Sequence, residues 1–294
     1  MPGRRGLRLA WHDARVPSAR ELPVAVFDSG VGGLTVLHEC LVSLPHEGFL
    51  YLGDTARFPY GTRRPEELLA FARELAGILL DEGAKAIVVA CNSATSAALP
   101  ALREELAGRV PVLGVVAPEA RVAAATTRNG RVGLLATPAT VASGAYERAL
   151  RDASDGAATL HAVASAELAP LIQAGEEVDE RTVAAVEQAC APLLDAGVDT
   201  VILGCTHYPL VRPVIQRRLG RGVEIVTSGE AIVEEVERAL DAAAAAAPAT
   251  ARGSYRFLAT GDVDEFRRLG TRFLQLPIAT VGHVDVVAPA EVAA

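Results

Sequence analysis

Short apolar runs alternate along the chain with longer amphipathic stretches, the pattern of strands and helices taken in turn. Pro23-Val24-Ala25-Val26-Phe27 reads as a strand, followed by the glycine-rich turn Asp28-Ser29-Gly30-Val31-Gly32-Gly33 and a helix with the apolar face Leu34, Leu37, Leu41, Leu44. Phe49 to Gly53 predicts a second strand, leading to Asp54 and the turn Phe58-Pro59-Tyr60-Gly61, and Pro65 opens a helix to about Glu82. Ala86 to Ala90 predicts the third strand, ending at Cys91-Asn92-Ser93, with a helix to about Leu106 and a fourth strand, Val112 to Val116, behind it. The pattern then restarts. A strand Val132 to Ala136 ends at Thr137, a helix spans about Thr140 to Ala153, and a strand Leu160 to Ala164 precedes a helix Glu180 to Ala196. The strand Val201 to Gly204 runs into Cys205-Thr206-His207-Tyr208-Pro209, and after its helix comes Glu224-Ile225-Val226. A helix Ala231 to Ala245, an Ala-rich linker, a strand Ser254 to Thr260, a helix Val263 to Phe273 and a tail Pro277 to Val286 follow.

Strand centres in the two halves pair as 26 with 134, 51 with 162, 88 with 202 and 114 with 225, at offsets of 108, 111, 114 and 111 residues. A near-constant offset over four strands marks a duplicated α/β unit and sets Cys91 and Cys205 at matching strand ends. The competing reading is that any α/β chain of this size gives such spacings. The expected fold class is α/β: two pseudo-symmetric three-layer lobes, each a mostly parallel sheet flanked by helices, with the functional site in the cleft between them. The expected division is a disordered extension over 1–22, a first lobe of 23–117 plus 227–286, a second lobe of 118–226, and a tail of 287–294. The segment after Val226 is expected to cover the edge of the first lobe.

A chain of 294 residues, half of them apolar, buries a large core. No segment approaches the about 20 apolar residues of a membrane span, so no membrane partner is expected. The arm up to Leu22 carries five Arg but no apolar core of a secretory signal. A net charge of -8 repels phosphates, so no nucleic acid is expected as partner. Four cysteines without a secreted context fit free thiols and a cytoplasmic location.

Cys40 and Cys190 sit on apolar helical faces and read as core packing. Cys91 and Cys205 each end an apolar strand and precede hydrogen-bonding residues, Asn92-Ser93 and Thr206-His207. Ligands in open α/β sheets bind at that end of the strands. Two thiols on one cleft suit racemisation, in which a proton leaves one face of a carbon acid and another arrives at the opposite face. A neighbouring Asp or His tunes a thiol for such work; Asp28 is the candidate for Cys91 and His207 for Cys205. Helix-opening N–H groups at Ser29 to Gly33, Asn92-Ser93 and Thr206 offer donors to a carboxylated substrate. The glycine turn lacks a P-loop ending and does not match G-x-G-x-x-G, which disfavours nucleotides. Pyridoxal phosphate needs a Schiff-base lysine, and the single lysine, Lys85, lies six residues before Cys91, roughly 20 Å toward the wrong end of the sheet. No cofactor is therefore expected. No metal is expected either, since Cys91, Cys205 and His207 lack a C-x-x-C or a second clustered His. A Cys/His hydrolase needs only one of the thiols.

Asp28-Ser29-Gly30-Val31-Gly32-Gly33, Pro59-Tyr60-Gly61, Ala90-Cys91-Asn92-Ser93-Ala94 and Leu203-Gly204-Cys205-Thr206-His207-Tyr208-Pro209 closely resemble, in order and spacing, the motifs of bacterial glutamate racemases. The resemblance runs from about Val24 to Val286. It implies cofactor-independent interconversion of L- and D-glutamate, supplying D-glutamate for peptidoglycan, by a protein of a family in which homodimers are common. It implies Cys91 and Cys205 as the catalytic acid/bases, Cys91 serving the D-enantiomer and Cys205 the L-enantiomer, with Asp28 and His207 assisting. Substrate contacts carry over to Asp28, Ser29, Tyr60, Gly61, Asn92, Ser93, Thr137, Thr140, Thr206 and His207. Two departures stand out: Ser93 replaces the family's commoner Thr, and Gln173 lies where many relatives carry a glutamate that supports the site from behind. Gln173 is assigned no role. Related aspartate and hydantoin racemases would keep the paired cysteines.

Overall fold

The computed structural model describes residues 18–175 and 177–287. Residues 1–17 of the expected extension and 288–294 of the tail lie outside them. Ser18 to Leu22, expected to be disordered, instead contain a 3-10 turn (Ala19–Glu21) in which the Glu21 carboxylate accepts from Ser18 N at 2.7 Å. Lys85 Nζ donates to the Arg20 carbonyl at 3.3 Å, which ties this turn to the body of the protein.

The first half runs β1 (Val24–Asp28), α1 (Leu34–Ser43), β2 (Phe49–Gly53), α2 (Pro65–Asp81), β3 (Ala86–Val89), α3 (Asn92–Glu105) and β4 (Val112–Gly114). After α4 (Val116–Thr126) come β5 (Arg131–Ala136), α5 (Pro138–Ala142), α6 (Ala145–Ala153), β6 (Thr159–Ala164), α7 (Leu168–Ala174), α8 (Glu180–Asp195), β7 (Thr200–Gly204), α9 (Arg212–Leu219) and β8 (Glu224–Val226). The chain ends with α10 (Ser228–Ala242), β9 (Tyr255–Ala259), α11 (Val263–Leu274) and β10 (Val281–His283).

Two parallel sheets result, β10-β9-β2-β1-β3-β4 and β6-β5-β7-β8. The order β2-β1-β3-β4 repeats as β6-β5-β7-β8, so the duplication legible in strand spacing is a duplication of topology and register. Val26 pairs with Tyr51 and Val88, as Leu134 pairs with Ala162 and Ile202. β9 and β10 extend the first sheet beyond β2. Strands β1, β2, β3 and β7 are buried at every position, the consequence of helices on both faces of a parallel sheet. One apolar cluster spans both sheets, taking in Val26, Tyr51 and Val88 from one and Leu135, Val201 and Leu203 from the other. Cys40 and Cys190 are buried within it. Among the described residues, no helix is long and apolar enough to cross a membrane.

Several elements differ from the expected ones. The strand expected over Val112 to Val116 stops at Gly114, and Val116 opens α4, whose Pro118 is tolerated because it falls in the first turn. The single helix expected over Thr140 to Ala153 is two, divided at Gly144, which holds a φ of +64° that glycine adopts without strain. Helix α7 has no counterpart in the sequence reading, since seven residues are too few to show a helical period. The tail contributes a strand, β10.

Candidate active site

A single narrow cavity, of about 30 Å³, is lined by residues that follow four strands: Ser29 after β1, Cys91-Asn92-Ser93 after β3, Thr137 after β5, and Cys205-Thr206-His207 after β7. Phe58 to Thr62 close one side, and Ala166, Ala169 and Pro170 another. The parallel topology does this work, because every strand of a duplicated βα unit releases its next residues at the same edge of its sheet. Both thiols face this space yet are nearly sealed from solvent, Cys91 at 5% exposed and Cys205 at 7%.

Cys91 caps the N-terminus of α3, where the aligned peptide dipoles favour a thiolate. Burial nevertheless pushes its thiol up to about 12, the Asp28 carboxylate adds to the rise, and the Ala94 N–H and the Ser29 side chain and N–H oppose it. Asp28, the last residue of β1, is fully buried. Its Oδ2 accepts from Gly30 N at 3.0 Å and its Oδ1 from Thr206 Oγ1 at 3.2 Å. Burial raises its carboxyl above the usual range, against hydrogen bonds that lower it.

Cys205 Sγ lies 3.9 Å from His207 Nδ1. On the other side of the ring, His207 Nε2 lies 2.9 Å from Gln173 Oε1. That acceptor makes Nε2 the protonated nitrogen and leaves the Nδ1 lone pair toward the thiol. The ring packs between Phe58 and Phe273, with centroids 5.4 and 5.2 Å away. Burial, then the charge of Arg272, lowers its pKa to about 3, so His207 is a neutral imidazole. Burial also pushes the Cys205 thiol well up, with Cys91 and Asp28 adding to the rise. Gln173, unassigned from the sequence, is thus what orients the imidazole; it rides on α7, the helix with no sequence signature.

The glycine turn acts by close approach. A Cβ on Gly32 would stand 2.4 Å from His207 Nδ1 and 2.4 Å from Thr206 Oγ1, so only glycine lets the β1 turn meet the β7 turn. A Cβ on Gly61 would stand 2.8 Å from that of Thr137, and Gly61 O accepts from Ala139 N at 2.8 Å. Ser93 Oγ lies 2.9 Å from Thr137 Oγ1 and 3.1 Å from Thr140 Oγ1, which joins the β3 and β5 ends through hydroxyls. Thr140 stands behind the wall, as does Asp28, while the other ten residues singled out from the sequence line the cavity. The Tyr60 ring lines it too, but its hydroxyl donates to Asp54, which also accepts from Arg57 Nε at 2.6 Å and Thr260 Oγ1 at 2.8 Å. Phe58, Pro59, Thr62, Ala166, Ala169 and Pro170 were not legible as site residues, since nothing distinguishes an apolar or small residue of a turn until the turn is placed. Lys85 is committed elsewhere, 2.5 Å from Glu47 Oε2 and 2.9 Å from the Ala245 carbonyl. Among the described residues, no group of three or more His, Cys, Asp or Glu side chains is placed to hold a metal ion.

Two copies of one parallel α/β unit, turning paired thiols onto a common cavity, define a racemase-type class: proteins that can work on both faces of one carbon. Residues 37–236 match the model of the Asp/Glu/Hydantoin racemase family. The chain is 41% identical over 263 residues to a glutamate racemase of Listeria monocytogenes, covering 90% of this chain and 98% of that one. It superposes on a glutamate racemase isoform of Bacillus anthracis with a TM-score of 0.86 at 38% identity, covering 91% of this chain and 98% of the other. A glutamate racemase of Francisella tularensis in complex with D-glutamate gives a TM-score of 0.82 at 28% identity, over 90% of this chain and 98% of the other. The chain belongs to the Asp/Glu/Hydantoin racemase family.

Proposed function

We propose that the chain interconverts L- and D-glutamate in the cytoplasm without a cofactor, supplying D-glutamate for peptidoglycan, with Cys91 and Cys205 carrying protons to and from opposite faces of the α-carbon. The observation that carries this reading is the pair of thiols at corresponding strand ends on one cavity. In one direction the Cys205 thiolate takes the α-proton of L-glutamate and the Cys91 thiol returns a proton to the other face; the reverse passage uses Cys91 as base on D-glutamate. The C–H electron pair stays on carbon throughout, and each turnover exchanges which sulfur holds a proton.

His207 Nδ1 accepts a hydrogen bond from the Cys205 thiol and so orients it, and Asp28 acts behind Cys91. Burial is what makes the thiolates strong bases, and the substrate's ammonium offsets the cost of forming them. Ser29, Tyr60, Gly61, Asn92, Ser93, Thr137, Thr140 and Thr206 bind the substrate or hold those that do, with the opening N–H groups of α3 meeting a carboxylate. The site lies at the junction of two lobes, 23–117 with 227–286 and 118–226. The D-glutamate complex of the Francisella relative supports the choice of substrate. The test is to incubate L-glutamate with the protein in heavy water, following deuterium at the α-carbon together with circular dichroism. Both exchange and loss of optical activity are expected; neither appearing without added cofactor would sink the reading.

A further inference from the structure

Behind Cys91 lies a buried polar cluster that the proton transfers do not use. Asn92, the first residue of α3, is on the cavity wall and 2% exposed. Its Nδ2 lies 2.7 Å from the Tyr146 hydroxyl, 3.1 Å from Glu119 Oε2 and 3.3 Å from Ser228 Oγ. Its Oδ1 is buried without a hydrogen-bond partner. Glu119 is fully buried; its Oε1 accepts from Ser228 Oγ at 2.7 Å and its Oε2 also accepts from the Tyr146 hydroxyl. Burial pushes the Glu119 carboxyl up to about 8 despite those hydrogen bonds. As carboxylate or carboxylic acid it retains an oxygen that accepts.

An amide has one donating and one accepting end. Three oxygens gathered from α4, α6 and α10 hold the donating end of Asn92 inward, so the accepting end is what remains for a ligand. A buried carbonyl with no partner is costly and rare in native proteins, and what would satisfy it is a hydrogen-bond donor, which an ammonium group supplies in its strongest form. We infer that Glu119, together with Tyr146 and Ser228, is a positioning residue that holds the Asn92 amide with its oxygen toward the substrate's α-ammonium, and so selects an amino acid over a plain dicarboxylate. The inference rests on the glutamate reading. The cluster is well placed for this role. Glu119 and Ser228 lie just past the two crossings between the sheets, β4 to α4 and β8 to α10, so the amide is gripped from both halves of the molecule.

The experiment compares KM for both glutamate enantiomers with the competitive inhibition constant of glutarate, which has both carboxylates and no ammonium. Glu119→Leu is expected to raise both KM values about 10- to 100-fold, the worth of a hydrogen bond to a charged group, and to leave glutarate inhibition as in the wild type. Glu119→Gln, which returns a carbonyl acceptor to Asn92, recovers most of that loss. Should the leucine variant fail to fold, Tyr146→Phe removes one of the three acceptors and gives the same selective rise in smaller measure. Parallel loss of glutamate and glutarate affinity, or no change in either, would overturn the inference while a racemising wild type left the glutamate reading standing. A wild type that does not racemise glutamate would sink both.

Discussion

Cys91 and Cys205 end corresponding strands, yet the two ends are built differently. Cys91 caps a 14-residue helix and has the buried Asp28 carboxylate for a neighbour; Cys205 enters a 3-10 turn (Tyr208–Val211) and faces a neutral imidazole. Duplication has copied the backbone that delivers each sulfur but not the side chain set beside it. Beside Asp28, the negative charge favours the protonated thiol. Beside Cys205, a neutral imidazole turns its Nδ1 lone pair toward the sulfur. The two sulfurs therefore sit beside different partners, although burial raises both thiols and the Asp28 charge adds to each rise.

The most severe way to break this comparison is to remove one sulfur. Cys91→Ser and Cys205→Ser should each cut racemisation by roughly 10²- to 10⁴-fold, the usual contribution of a positioned proton carrier, as read by circular dichroism. Full activity in either variant would mean that one thiol serves both faces, and the comparison would lapse. Gly32→Ala comes next, because it strikes where the β1 turn touches the β7 turn. With His207 Nδ1 and Thr206 Oγ1 both 2.4 Å from the new carbon, one side must give way. A displacement of that kind costs on the order of 10² in rate, and overpacking costs about 1–3 kcal/mol of stability. Wild-type activity and melting temperature would show that the turn is not held against His207.

A smaller change sharpens the comparison. Gln173→Glu places a carboxylate on His207 Nε2 and should raise the imidazole pKa from about 3. A more basic His207 takes the Cys205 proton more readily, so Cys205 should alkylate several-fold faster with iodoacetamide near pH 7 while Cys91 is unchanged. Because enantiomers are equal in energy, kcat/KM must shift equally in both directions, and the asymmetry belongs to the individual kcat values. Equal acceleration at both sulfurs, mapped by peptide mass spectrometry, would argue against separate management of the two protons.

The sequence carries the two thiol ends unequally well. Asp28, Cys91 and Cys205 are legible because each ends a β-branched run, and a constant strand offset implies that such ends correspond. The close approach at Gly32 is hidden, since a glycine-rich turn before a helix suggests an anion site just as strongly as a packing contact. Gln173 is hidden by the shortness of α7, and Phe58 by the generic look of a turn that only the fold carries to His207. Glu119 is the least legible of all: in Ala117-Pro118-Glu119 it resembles an acidic residue at an exposed helix start, and only the packing of α4 against α6 and α10 buries it.

The weakest expected effect concerns that residue and the charge balance of the two ends. The groups facing Glu119 (Asn92, Tyr146 and Ser228) carry no charge at neutral pH, so only hydrogen bonds oppose the cost of ionising it in a buried place, and burial outweighs them. Its folded pKa, about 8, stands above the ordinary 4.5, and the folded protein holds a proton that the unfolded chain has released over that interval. Stability from this group is therefore full below about pH 4.5 and is lost as pH rises toward 8. Glu119→Gln has no proton to lose. Its melting temperature relative to wild type should climb between pH 5 and pH 8, by on the order of a few °C. Asp28, also raised, is present in both proteins and cancels in the difference. A constant gap across that range would mean that Glu119 is ionised in the folded state, a second buried negative charge beside that of Asp28.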